Sequence, residues 1–81
     1  MTVKVLYFGQ LREAAGVSEE SVELPDGALI EELFRRCSMA RPGISKFQPS
    51  LRASHNLEFA QWDTPLRAGD EVGFLPPVSG G

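Results

Sequence analysis

A single cysteine, a single histidine and a single tryptophan stand among the 81 residues, and each scarcity closes off a class of function. One cysteine cannot form an internal disulfide, so the chain is expected to do without covalent cross-links and to belong to a reducing, cytoplasmic compartment. One histidine and one cysteine supply neither a metal-ligand set nor a nucleophile–base pair. Basic residues are outnumbered, 8 against 11 acidic, with a net charge of −3. Without clustered Lys and Arg to neutralise phosphates, nucleic acid is not an expected partner. The apolar run in Met1-Thr2-Val3-Lys4-Val5-Leu6-Tyr7-Phe8 is too short and too interrupted for a membrane span or a signal peptide. There is no internal repeat and no low-complexity segment. What remains, 42% hydrophobic and 23% charged residues, is the composition of one small globular domain. A domain of this size buries only about 60–65% of its unfolded surface.

Local patterns divide that domain. Thr2 to Phe8, rich in β-branched and aromatic residues, predicts a buried strand. Gly9 to Gly16 predicts a short helix closed by Gly16. Val17 to Leu24 carries five polar positions, as an edge strand facing water should. Pro25-Asp26-Gly27 is a turn, with Asp26 as an expected N-cap. The main helix is expected over Ala28 to Met39. Leu29, Ile30, Leu33, Phe34 and Cys37 form its apolar stripe, and Glu31, Glu32, Arg35 and Arg36 a solvated face with acids first and bases last. Ala40 to Ser50 is expected to be a long loop pinned by Ile44 and Phe47. Leu51 to His55 and Leu57 to Trp62 suggest a hairpin turning at Asn56, and Glu71 to Leu75 the final strand. Hairpins at both ends of one long helix imply an α+β roll, a mixed sheet wrapped around that helix with its first and last strands as parallel central neighbours. That is a β-grasp arrangement. It spans residues 1–75, and residues 76–81 form an extended tail.

The tail carries the chemistry. Phe74-Leu75-Pro76-Pro77-Val78-Ser79-Gly80-Gly81 ends a strand at two prolines, which cannot donate ladder hydrogen bonds and hold φ near the polyproline value. Four small residues follow, slim enough to enter a slot that a Cβ would block. The Gly81 carboxylate, with an ordinary pKa of about 3.5, is an unhindered acyl group that is inert until activated. Terminal Gly/Ser stretches are often simply frayed, but fraying has no need of two stiffening prolines.

Strand parity adds a surface. With Val3, Val5, Tyr7, Val72 and Phe74 facing the helix, Leu6, Phe8 and Leu75 fall on the opposite face. Phe59 joins them, while Ala60 and Trp62 point inward. One small helix cannot cover both faces, so this apolar group is expected to meet a partner, unless the 40–50 segment folds over it. Burying each such side chain contributes about 1.5–3 kcal/mol. That offsets much of the cost of ordering a five-residue tail, about 1–2 kcal/mol per residue.

The ending Gly-Asp-Glu-Val-x-Phe-Leu-Pro-Pro-Val-Ser-Gly-Gly (Gly69 to Gly81), with Val3 to Phe8, Leu11-Arg12-Glu13, Arg41-Pro42-Gly43 and the Asn56 hairpin, resembles the small subunit of molybdopterin synthase. The resemblance implies a ubiquitin-like β-grasp fold and a sulfur carrier. An E1-like adenylyltransferase would use ATP to convert the Gly81 carboxylate to an acyl-adenylate, and sulfur from a persulfide would replace AMP to give a thiocarboxylate. The tail would then thread into the large subunit, in a heterotetramer of two small and two large subunits. There two sulfur deliveries build the dithiolene that ligates molybdenum. By position Gly81 is the covalent site and Gly80 its spacer, with Pro76, Pro77, Val78 and Ser79 entering the partner. Phe8, Phe59 and Leu75 match apolar positions that meet the large subunit. Phe59 and Leu75 depart from the usual side-chain types, and Ser54-His55-Asn56 replaces a more apolar Ala-Val-Asn-like stretch. No intrinsic cofactor or metal is implied.

Other singular residues have plainer readings. His55, late in a strand, is expected to be structural or exposed, Cys37 to be core rather than a persulfide relay, and Trp62 to be packing. Arg12 is either a contact for the activating enzyme or a surface arginine. Two alternatives share the fold. One is a ubiquitin-like modifier joined through Gly81 to lysines, or a carrier for thiamine or tRNA thiolation. The other is a β-grasp interaction module without covalent chemistry.

Overall fold

The structure, a computed structural model, describes residues 1–77. The described residues form five strands: β1 (Thr2–Tyr7), β2 (Glu19–Glu23), β3 (Arg52–His55), β4 (Glu58–Ala60) and β5 (Glu71–Leu75). Two α-helices, α1 (Gly9–Ala15) and α2 (Ile30–Ala40), and a 3-10 helix over Pro42–Ser50 connect them. The sheet order is β2-β1-β5-β3-β4. β1 and β5 run parallel at its centre, with Val5 opposite Val72 and Tyr7 opposite Phe74, and the other pairs are antiparallel. This is the roll the sequence predicts.

The core follows from the two periodicities. Val3, Val5 and Tyr7 of β1 and Val72 and Phe74 of β5 are buried against Ile30, Leu33, Phe34 and Cys37 of α2. Two buried rings, Phe34 and Phe74, pack with the partly buried Trp62. Phe34 meets Phe74 edge-on at 5.0 Å and Trp62 edge-on at 5.5 Å, while Trp62 stacks on Phe74 at 5.7 Å. Such pairs add about 0.5–1.5 kcal/mol beyond their burial. Trp62 is thus a packing residue, although it lies past the end of β4.

Several local expectations are corrected. The 40–50 segment is a 3-10 helix, not a loop. Pro42 opens it, Ser45 and Ser50 hydroxyls donate to the Pro42 and Phe47 carbonyls, and the three-residue repeat brings Ile44 into the core. The segment packs on α1 and α2, away from the sheet's far face. The main helix begins at Ile30, with Leu29 as N-cap instead of Asp26. Its free N–H groups are satisfied at long range, Ile30 donating to the Thr64 carbonyl (3.0 Å) and Glu31 to that of Trp62 (2.9 Å), so no side-chain cap is needed. Because α2 runs on to Ala40, Arg35 and Arg36 fall in its middle, and its last turn carries no base. The edge strand β2 is also shorter than expected, ending at Glu23.

The β3–β4 turn holds two non-glycine residues at positive φ, Asn56 (50°) and Leu57 (75°). Both central positions of a type I′ turn require that geometry, which suits Asn-Gly and strains a leucine. Leu57 is 87% exposed and loses little burial if truncated. Leu57→Gly is therefore expected to stabilise the domain by about 0.5–1 kcal/mol. The check is a higher urea midpoint at unchanged slope, and a lower midpoint would contradict the strain reading.

Candidate functional site

The far face of the sheet is built around one rung. Leu6 of β1, Gly73 of β5, Ser54 of β3 and Phe59 of β4 lie side by side, through the pairs Leu6–Gly73, Ser54–Gly73 and Ser54–Phe59. Phe8 continues the extended backbone of β1 (φ −117°, ψ 154°) before α1 begins, so its ring emerges on the same face as Leu6. Phe8 is 42% exposed and Phe59 73%, while Leu6 and Leu75 are half-buried. The Arg52 guanidinium stands 5.9 Å from the Phe59 ring centre, within the range of a cation–π contact. The exposed apolar group expected from parity is therefore present, with Leu6 and Leu75 as its more sheltered members.

The chain leaves the sheet at the same end. β5 stops at Leu75, Pro76 is half-buried and Pro77 is exposed. Arg12 lies exposed on α1, its N–H accepted by the Phe8 carbonyl at 3.3 Å. Phe8, Leu75, Pro76 and Pro77 thus gather around one junction, while Phe59 sits at the sheet edge on β4. The expectations for Val78, Ser79, Gly80 and Gly81 lie outside the described residues.

Elsewhere the polar side chains serve the scaffold. Arg41 grips Glu20 through Nε (2.9 Å) and Nη2 (3.0 Å) and donates through Nη1 to the Ala15 carbonyl (2.7 Å). The Tyr7 hydroxyl donates to the same carboxylate. Arg41 thereby ties the end of α2 to the end of α1 and to β2. Hydrogen bonds from Arg41 hold the Glu20 carboxyl below its ordinary range; burial opposes this, and the Tyr7 hydroxyl assists it. Cys37 lies 2% exposed beneath this cluster, and burial pushes its thiol up to about 11. A buried, protonated thiol is a poor nucleophile, so Cys37 is core. At the sheet's other end His55 Nε2 lies 2.6 Å from Asp70 Oδ2, and Asn56 Nδ2 donates to Asp70 Oδ1 (3.2 Å). Asn56 also exchanges hydrogen bonds with the Glu71 backbone, at 2.8 and 2.9 Å. His55 is therefore structural, helping to tie the hairpin turn to the start of β5.

Both carboxyls make a pH prediction. For Asp70, burial would raise the pKa but is outweighed by hydrogen bonds from His55, the Arg67 N–H and Asn56, so the net shift is downward. A depressed folded-state pKa contributes stability that is complete above the unfolded value, about 4, and is lost as pH falls through the lower folded value. Glu20 acts in the same direction. The double substitution Glu20→Gln and Asp70→Asn is expected to flatten the fall in melting temperature below about pH 4. An acid limb as steep as wild type would contradict it.

Sequence reasoning missed two contributors to the face, Gly73 and Gly9. A Cβ placed on Gly73 would stand 2.6 Å from Ser54 Oγ and 2.9 Å from Phe8 Cε2. The signal was available, because a glycine inside a strand marks a close approach. Among the described residues no group of three His, Cys, Asp or Glu could hold a metal, and no helix is long and apolar enough to cross a membrane.

A mixed sheet closed around one helix, with the chain leaving beside an exposed apolar face, defines a ubiquitin-like β-grasp protein. The ThiS family pattern matches residues 5–81, and the chain belongs to that family. It is 41% identical over 83 residues to the molybdopterin synthase sulfur carrier subunit of Chlamydomonas reinhardtii, covering all of both chains. Among solved structures it is similar to SAMP1 from Haloferax volcanii (26% identity, TM-score 0.92, all of both chains). It is also similar to a chain in the complex of subunits 1 and 2 of molybdopterin-converting factor from Helicobacter pylori (28%, TM-score 0.72, all of both chains).

Proposed function

We propose that this chain is the sulfur carrier subunit of a molybdopterin synthase and works in molybdenum cofactor biosynthesis. The observation that carries the reading is the convergence of an exposed aromatic face (Phe8, Phe59) with a chain exit stiffened by Pro76 and Pro77, ahead of a Gly80-Gly81 ending. Residues 1–75 are the handle and residues 76–81 the arm. An E1-like adenylyltransferase, contacted in part by Arg12, joins the Gly81 carboxylate to AMP with release of pyrophosphate. The terminal sulfur of a donor persulfide displaces AMP, and a second thiol cleaves the resulting acyl disulfide to leave the thiocarboxylate. Phe8, Phe59 and Leu75 then dock on the large subunit, in a complex of two small and two large subunits. Val78, Ser79 and Gly80 carry Gly81 to the pterin substrate, the sulfur is transferred, and water restores the carboxylate. The thiocarboxylate is ionised at neutral pH and needs no base from this chain, and ATP and the pterin are bound by the partners. The setting is cytoplasmic.

A second reading has support in the likeness to SAMP1, the small archaeal modifier protein 1: attachment of Gly81 to lysines of other proteins. One experiment separates the two. The chain is incubated with its adenylyltransferase, ATP and a persulfide donor, and the intact mass is measured. Exchange of one oxygen for sulfur on the free protein, followed by its loss to the large subunit and pterin precursor, is the expected result. Higher-mass conjugates in place of that exchange would favour the modifier, and an unchanged mass would overturn both.

A further inference from the structure

The apolar face and the chain exit meet at Phe8, where the sheet ends and α1 begins. The Phe8 N–H reaches the Phe74 carbonyl at 3.4 Å, extending the β1–β5 ladder by one step, and the Phe8 carbonyl accepts from Leu11 (3.0 Å) and Arg12 (3.3 Å). The backbone of Phe8 is thereby held between β5 and α1. Its ring lies on Gly73, which is buried beneath it, and a Cβ there would come within 2.9 Å of the ring and 3.8 Å of Leu75 Cδ1. The next residue, Gly9, has φ +54°, and a Cβ on it would stand 3.2 Å from Pro76 Cγ. Two glycines therefore let Phe8-Gly9 close directly onto Gly73 and Pro76. One seats the aromatic ring, and the other abuts the first proline of the exit.

We infer that Gly9 and Gly73 form a bracket that fixes the Phe8 ring and the Pro76 exit relative to one another, so that docking the face aims the tail. The inference rests on the sulfur-carrier reading. Gly73 and Gly9 are positioning residues; neither touches the reacting group. Other glycines provide the control. Gly16 and Gly27 also have positive φ, 85° and 81°, but a Cβ on either would meet nothing within 4 Å. An alanine at Gly27 carries the backbone strain of Gly9→Ala without its contact.

The test uses full-length protein carrying the thiocarboxylate, titrated into its large subunit loaded with pterin precursor, with affinity and single-turnover sulfur transfer read separately. Gly9→Ala is expected to slow transfer within the saturated complex by about tenfold at nearly unchanged affinity, because a misplacement of about an ångström is costly at a reacting centre. Gly27→Ala should melt lower to a similar extent and transfer like wild type. Gly73→Ala, made with Ser54→Ala so that only the ring contact is crowded, is expected to weaken docking about tenfold relative to Ser54→Ala alone. In that background Phe8→Ala should cost far less affinity than it does in wild type, the mark of a shared contact. Transfer by Gly9→Ala equal to Gly27→Ala, or a Gly73→Ala effect simply additive with Phe8→Ala, would overturn the bracket while leaving the carrier function standing. A wild-type thiocarboxylate that yields no sulfur would overturn both.

Discussion

A chain ending at Gly80 is expected to take up no sulfur and to melt at the wild-type temperature. The adenylated group must be an acyl carbon that a nucleotide on one side and a sulfur nucleophile on the other can both reach. Glycine presents that carbon without a Cβ, and removal of Gly81 withdraws it by a full residue, about 3.3–3.6 Å, from wherever the partner's reacting atoms lie. Displacements well below that size cost a hundredfold in well-oriented reactions. Among the described residues core burial and sheet pairing reach no further than Leu75, so stability should be untouched. The measurement pairs intact mass after activation with a thermal melt. Sulfur uptake by the shortened chain would refute the assignment of Gly81, and a fall in melting temperature would refute the separation of arm from handle.

Phe34→Ala is expected to bring the domain close to unfolding. Phe34 is 1% exposed and meets both Phe74 and Trp62 edge-on, so truncation removes a buried ring and two of the three contacts in the ring cluster. Buried Phe→Ala changes cost about 3–5 kcal/mol. A chain of 81 residues has a total stability of only about 4–12 kcal/mol. Since 1 kcal/mol lowers the melting point of so small a domain by about 4–8 °C, the fall should be about 12 °C or more. A loss under about 1 kcal/mol in chemical denaturation would mean that the cavity collapses, and that the rings contribute far less than their geometry implies.

How much of this was legible beforehand depended on the range of the forces involved. The strands and α2 declared themselves through alternation and the Ile30, Leu33, Phe34, Cys37 stripe, because burial periodicity is a local property of sequence. Parity then placed Phe8 and Phe59 correctly on the uncovered face. What stayed hidden was set by distant partners. Asp26 is a sensible cap in isolation, yet carbonyls of Trp62 and Thr64, some thirty residues on, take the donors of α2. The 3-10 helix was disguised by Pro, Gly and Ser, whose composition signals a loop. Leu57 sits in a turn conformation its side chain disfavours, contrary to the local rule. Arg41 entered only within a motif, and its role as tie between α1, α2 and β2 needs Ala15 and Glu20 brought near it.

The central pairing of β1 with β5 has a consequence for how the molecule is made. Among the described strands β1 must wait for β5, which is made after all the others, since Lys4 to Tyr7 align with Glu71 to Phe74. Such long sequence separation slows folding, and here it also defers it: before Glu71 emerges from the ribosome the sheet has no middle. Chains that break off early are left unstructured, open to proteolysis. A stable fold is therefore reached only by copies in which Glu71 to Phe74 have been made.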